Sequence, residues 1–366
     1  MNKAVTCALT VGVLVGMLGG CALGQDQKID PKHKPSLFLS LPENTNNPDG
    51  LTLCEKTGTM FLSVPNFTLL NEGSTTPKYS GVIMKIDKNN KPCLFINLPA
   101  HPKTGRAGPM GLDIGPDGNL YVADNQYFFE KDHASTLLRV VVKDGKAAGC
   151  DVAVDGFNLS NAVIWKDNAV YVSDTFLDIP DKPNMSCIYR ITLDEMKKGK
   201  VHLTGKLDDP HMIATFTTVP NHRKDNAGAD GLTFDSKGNL YTGNFGDGVV
   251  SKITFNADGS VKSNTILIKD PKLSCCDGIF CDTKTDLIYL ADSEKNAIRV
   301  FTPEGKWWTL WINGDSDGAD GLLDQPCEVL KRGNELIVVN FDYPFPGLLN
   351  SKFDEHHTLS VIKLAE

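Results

Sequence analysis

Six copies of one short element divide this chain, and no other feature limits its fold as tightly. Their starts read "PDGL" (48–51), "PMGL" (109–112), "SNAV" (160–163), "ADGL" (229–232), "CDGI" (276–279) and "PCEV" (326–329). Each start opens an apolar strand, then a tight polar turn such as "PDGN" or "SKGN", then a second strand such as "LYVAD", "VYVSD" or "IYLAD". Short alternating runs of Val, Ile, Tyr and Leu bounded by Gly, Asp and Asn are hairpin sequences. Third and fourth strands follow, as in "VSKITF" (250–255) and "NTILI" (264–268). Four strands per repeat of about 50 residues, with no amphipathic helix beyond a turn or two, predict an all-β fold, a six-bladed β-propeller.

The sixth repeat runs out of chain after "TLSVIKL" (358–364), one strand short. The missing strand is expected at the other end. "KPSLFLSLP" (34–42) mimics "KPCLFINLP" (91–99), the outer strand of the first repeat. An N-terminal strand completing the last blade would close the ring and leave no unpaired seam. The propeller then spans 36–366.

What precedes it reads as an address. In "MNKAVTCALTVGVLVGMLGGCALG" a lysine leads an apolar run of signal-peptide length, ending in "LGGC". This resembles a bacterial lipoprotein leader, residues 1–20, with Cys21 as the lipidated N-terminus and 21–35 as a polar tether. Ordinary secretion with cleavage near Ala22 is the alternative. Ala22 after the cysteine, by the same resemblance, favours outer-membrane sorting on the periplasmic side, with membrane contact through the lipid alone. Without Cys7 and Cys21, eight cysteines remain, whose pairing the sequence leaves open. A net charge of −8 argues against a nucleic-acid partner, which would want a basic face. P-loop, G-x-S-x-G, H-E-x-x-H and dinucleotide patterns are absent from the sequence. A monomer is expected.

In a propeller the innermost strands converge on the axis, so the residues at their starts form a ring around it. That ring is Asp49, Met110, Asn161, Asp230, Asp277 and Cys327. Three carboxylates and an amide oxygen aimed at one point suit a hard divalent cation, Ca²⁺ above all. Asp and Asn before Gly are also ordinary turn residues, and a channel holding only water is the other reading. The loops after the second strands, 125–135, 176–186 and 342–357, are long, as binding loops on a rigid scaffold tend to be. Their aromatics Tyr127, Phe128, Phe129, Tyr343 and Phe345 either line a substrate pocket or pin the loops. Asp124, Asp174, Asn244, Asp292 and Asn340, at the second-strand ends, either orient the ring or cap loops.

These motifs resemble the regucalcin/gluconolactonase family and its relative, the squid-type diisopropyl fluorophosphatase, over residues 36–366. The resemblance implies a six-bladed propeller with an axial divalent metal. It places metal ligands on Asp49 in "PDGL" (Asp for the family's Glu), Asn161 in "LSNAVIW" and Asp230 in "GADGLTFD", with Asp277 as an added ligand or a supporting group. It implies hydrolysis of a lactone or ester, the cation polarising the carbonyl and lowering the pKa of a bound water. Asp230 would be ligand and general base. Where the family carries an Asn with an Arg nearby, this chain has "RAGPMGL", which puts Met110 in the ring and leaves Arg106 as a displaced guanidinium. Arg106, Met110, His222, Phe128 and Tyr343 are the candidate substrate contacts. His222 and His101 are either proton shuttles or ordinary loop histidines. The competing function is that of a non-catalytic platform like the NHL-repeat propellers, whose linkers "NGDSDGADGLLDQP" (313–326) resembles, binding a peptide, glycan or envelope partner.

Overall fold

The computed structural model describes residues 29–43, 45–67, 81–354 and 357–364. The leader and Cys21 lie outside them. Six sheets, each built on four antiparallel strands, make a six-bladed β-propeller. The inner strands, in chain order, are Leu51–Cys54, Pro109–Ile114, Ser160–Lys166, Ala229–Phe234, Ile279–Asp282 and Pro326–Arg332. Each pairs with the strand that follows it. All six connecting turns hold a residue with positive φ: Gly58, Gly118, Asp167, Gly238, Asp286 and Gly333. Gly, and less readily Asp, tolerates that conformation, which explains the composition of the turn phrase.

Ring closure is as the sequence predicts. Ser36–Ser40 pairs antiparallel with Thr358–Lys363 and forms the outer strand of blade 6. The end of the expected tether also packs there: His33 Nδ1 lies 2.9 Å from the Lys363 carbonyl. The second strands, such as Leu120–Asp124 and Ala169–Asp174, are buried throughout. Both of their faces meet apolar side chains, so Tyr121 and Tyr241 have no exposure and the core runs between blades rather than inside one.

One element was not foreseen. After Thr192 the chain forms a helix, Leu193–Lys198, closed by a capping box between Thr192 and Glu195. It then lays Val201–His202 in parallel against Val154 and Asp155, giving blade 2 a fifth strand. Cys54, Cys93, Cys150, Cys187, Cys275, Cys276, Cys281 and Cys327 are all free thiols, so no disulfide staples the blades.

Candidate functional site

In four of the six blades a bulge sets the ring residue. In blades 2, 3, 4 and 6 the register between the first two strands slips at the ring residue, between Pro109 and Leu112, Ser160 and Val163, Ala229 and Leu232, and Pro326 and Glu328. A bulge re-aims a side chain out of the pleat. The glycine that follows has a separate cause. A Cβ on Gly111 would stand 2.6 Å from the Asn161 carbonyl oxygen, and one on Gly231 would stand 2.5 Å from that of Asp277. Only glycine lets adjacent inner strands approach this closely.

All six ring residues line one cavity of about 480 Å³. Asn161 Nδ2 donates to Asp230 Oδ1 (2.9 Å), and Ser293 Oγ donates to Asp277 Oδ2 (2.6 Å). No described residue donates a hydrogen bond to either carboxylate oxygen of Asp49, so that group faces the cavity as an open acceptor. Burial and then Asp277 hold the Asp49 carboxyl well above the usual range. Burial, Asp277 and Asp49 do the same to Asp230. Asp277 is pushed up to about 7 by burial, against the opposing Ser293 bond. Carboxylates that crowd without a cation are expected to hold protons in this way. They do not, however, all gather about one point. Among the described residues, the one set of three acidic side chains with oxygens mutually within 4.8 Å lies elsewhere. Asp49, Asn161, Asp230 and Asp277 are the ring residues that bear oxygen atoms of the kind a hard cation uses, Asp277 being held by its serine.

The other ring members are apolar or turned away. Met110 is buried at 7% exposure, and the Cys327 thiol faces the Pro48 carbonyl (3.4 Å). One residue further on, Glu328 lines the opposite mouth of the channel, a cavity of about 700 Å³ bordered by Asp113, Lys166, Asp235 and Lys331. That cavity is larger, but the ring carboxylates do not border it.

Of the candidate substrate contacts, Met110 and Phe128 line the ring cavity. Arg106 instead lies over the Phe129 ring, 4.5 Å from its centroid. His222 meets Glu294 (3.0 Å), and Tyr343 packs against Phe345 and Phe353 behind the cavity wall. His101 borders a separate surface cleft. Three of the second-strand termini are loop caps: Asp124 accepts from Gly108 N–H, Asp174 from Asn158 and Leu159, and Asn340 from Asp324, whereas Asp292 pairs with Arg299 on the next strand (2.8 Å).

The residue one step past each cap was missed. Asn125, Thr175, Phe245 and Phe341 all line the cavity, and Ser293 holds Asp277. They form a second circle around the first, and their fixed offset from the recurring Asp or Asn was the available signal. Stacked on this circle are Tyr127 with Phe176 (4.9 Å between centroids) and Phe341 with Phe345 (6.2 Å). Lys131 sits 4.6 Å from the Tyr127 ring centroid.

No protein-family model and no curated protein matches the sequence. Solved structures do match its fold. A gluconolactonase from Xanthomonas campestris is 12% identical with a TM-score of 0.53, over 94% of this chain and 98% of its own. A calcium-binding regucalcin from Agrobacterium tumefaciens is also 12% identical with a TM-score of 0.53, over 90% and 92%. The PQQ-bound aldose sugar dehydrogenase from Streptomyces coelicolor scores 0.53 at 14% identity, over 90% and 97%. The chain shares their fold. One fold carries several chemistries, so the site has to decide among them.

Proposed function

We propose that this chain is a divalent-metal-dependent hydrolase of lactones or esters that carry an apolar or aromatic substituent. The observation that carries the reading is the joining of two features in one cavity. Along it lie Asp49, Asn161 and Asp230, oxygen-bearing residues at or just before the starts of three converging strands. Its wall holds six aromatic rings: Tyr127, Phe128, Phe176, Phe245, Phe341 and Phe345. The gluconolactonase and the calcium-binding regucalcin support it at the level of fold. The aromatic wall, with Met110 in the ring, favours an apolar substrate over a polyhydroxylated sugar lactone.

A bound Ca²⁺ would polarise the substrate carbonyl and lower the pKa of a bound water. The protein's own groups do the rest. Asn161 Nδ2 holds Asp230 Oδ1, which fixes the carboxylate for proton abstraction from the attacking water. Ser293 holds Asp277, which can keep or release that proton near neutral pH. The aromatic pairs seat the substituent and exclude water.

The test is a set of initial rates with Ca²⁺ and after chelation, on aryl- and alkyl-substituted lactones, aryl esters and gluconolactone. The reading expects chelator-sensitive hydrolysis, fastest on the apolar lactones and reduced by about 10² or more in Asp230→Asn. Rates that chelation and Asp230→Asn leave unchanged would sink it and favour the binding-platform alternative.

A further inference from the structure

Acidic oxygens crowd most tightly outside the axial ring. Among the described residues, Asp324, Asp342 and Asp354 alone offer three carboxylate oxygens mutually within 4.8 Å. Two loops build this cluster. One is the acidic run "NGDSDGADGLLD" (313–324), which leads into the inner strand of blade 6. The other follows Asn340 and carries Phe341 and Phe345 of the cavity wall.

The partners of these carboxylates are few. Asp342 accepts from Asn350 Nδ2 (2.9 Å) and from Asp354 N–H (3.0 Å). His357 Nδ1 stands 3.5 Å from Asp342, but that nitrogen already accepts from Asn47 N–H (3.3 Å). Asp354 pairs with the exposed Lys352 at 2.8 Å. Asp324 has no such answer. It is 2% exposed, and its Oδ1 is buried with no hydrogen-bond partner. Asp315 and Asp317, on the same loop, add further negative charge. A buried carboxylate oxygen without a donor is a costly arrangement that calls for an ion or a proton.

We propose that Asp324, Asp342 and Asp354 form a second divalent-cation site, distinct from the axial ring, which takes Ca²⁺ and clamps the loop bearing Phe341 and Phe345 to blade 6. An all-oxygen, carboxylate-rich set drawn from two loops suits Ca²⁺, whereas Mg²⁺ demands stricter geometry and keeps more water. The coupling to the cavity is short. Gln325, next to Asp324, lines the cavity and accepts hydrogen bonds from Tyr343 N–H and Asn350 Nδ2. The rival is a proton resident on Asp324, and the two differ in what Ca²⁺ does.

The experiment is calorimetric Ca²⁺ titration of the full-length, chelator-stripped chain, with melting curves, for wild type, Asp324→Asn, Asp354→Asn and Asp230→Asn. Asp324→Asn and Asp354→Asn should each lose one bound Ca²⁺, or bind it about tenfold or more weakly, while Asp230→Asn keeps it. Added Ca²⁺ should raise the melting temperature of wild type more than that of Asp324→Asn. Should Asp324→Asn misfold, Asp354→Asn at the cluster's rim gives the same reading. Wild type that binds no Ca²⁺, or equal binding in wild type and both cluster variants, overturns the proposal. Failure of the axial site alone would appear as unchanged binding in Asp230→Asn.

Discussion

At the residue scale, the repeated phrase encodes two jobs that alternate along the chain. The bulged residue is turned toward the axis, and the glycine after it lets the next blade close in. Met110 and Cys327 show that the first job can lapse while the bulge survives. Glu328 shows the same for the second, standing in blade 6 where the other blades have a small residue. The identities of the ring residues were legible because each holds the same place in the short phrase that opens its repeat. Their hydrogen bonds were not, since Ser293 and Thr175 reach the ring from loops whose course no periodicity records.

His357 supplies a prediction at this scale. It is 7% exposed, its Nδ1 accepts from Asn47 N–H, and burial depresses its pKa from 6.5 to about 4. The unfolded chain binds a proton below pH 6.5 that the folded chain refuses until about pH 4. This stability is therefore full above pH 6.5 and lost as pH falls through that window, by on the order of 3 kcal/mol. Asp174 and Asp277, both raised to about 7 by burial, act in the opposite sense, so the informative quantity is a difference. In His357→Asn, where an amide oxygen can stand in for Nδ1, urea unfolding at pH 7 and pH 4.5 should show a smaller acid loss than in wild type. An equal loss would mean that the imidazole is not held neutral.

At the element scale, hairpins and closure were readable, and the insertion between the last two strands of blade 3 was not. The capping box of Thr192 and Glu195 is visible in "TLDE". A six-residue helix, however, carries too few turns for its apolar spacing to stand out from a loop. The closing strand leads to a second prediction. Ser36–Ser40 covers the edge of Thr358–Lys363 and joins the two ends of the chain. A chain beginning at Leu41 should melt lower, by about 5 °C or more, and associate through the bared edge. Unchanged melting of a monodisperse truncated protein would show that the ring holds without its latch.

At the scale of the whole molecule, six blades with their cores between them make a frame that carries the axial ring and the long loops of one face. The frame accounts for the likeness to the gluconolactonase, the regucalcin and the dehydrogenase alike, and leaves the axis to set the chemistry. The aromatic wall was half legible. Phe128 and Phe345 were on the right loops, but Arg106, His222 and Tyr343 are tied to Phe129, Glu294 and Phe353 outside the cavity. Sequence shows which loops can reach a site, whereas packing decides which side chains arrive.

The account stands on a cation bound by Asp49, Asn161 and Asp230. The most direct measurement is melting in Ca²⁺ and in chelator of Asp324→Asn, which silences the second cluster, and of the same chain carrying Asp230→Asn as well. Ca²⁺ at a hundredfold excess over Kd adds about 2.7 kcal/mol to a folded state that binds it alone, a rise of several degrees at this chain length. The account predicts that rise in Asp324→Asn and its disappearance in the double variant. An equal response in the two proteins, whether a shared rise or none, would contradict the axial metal and the hydrolase built on it.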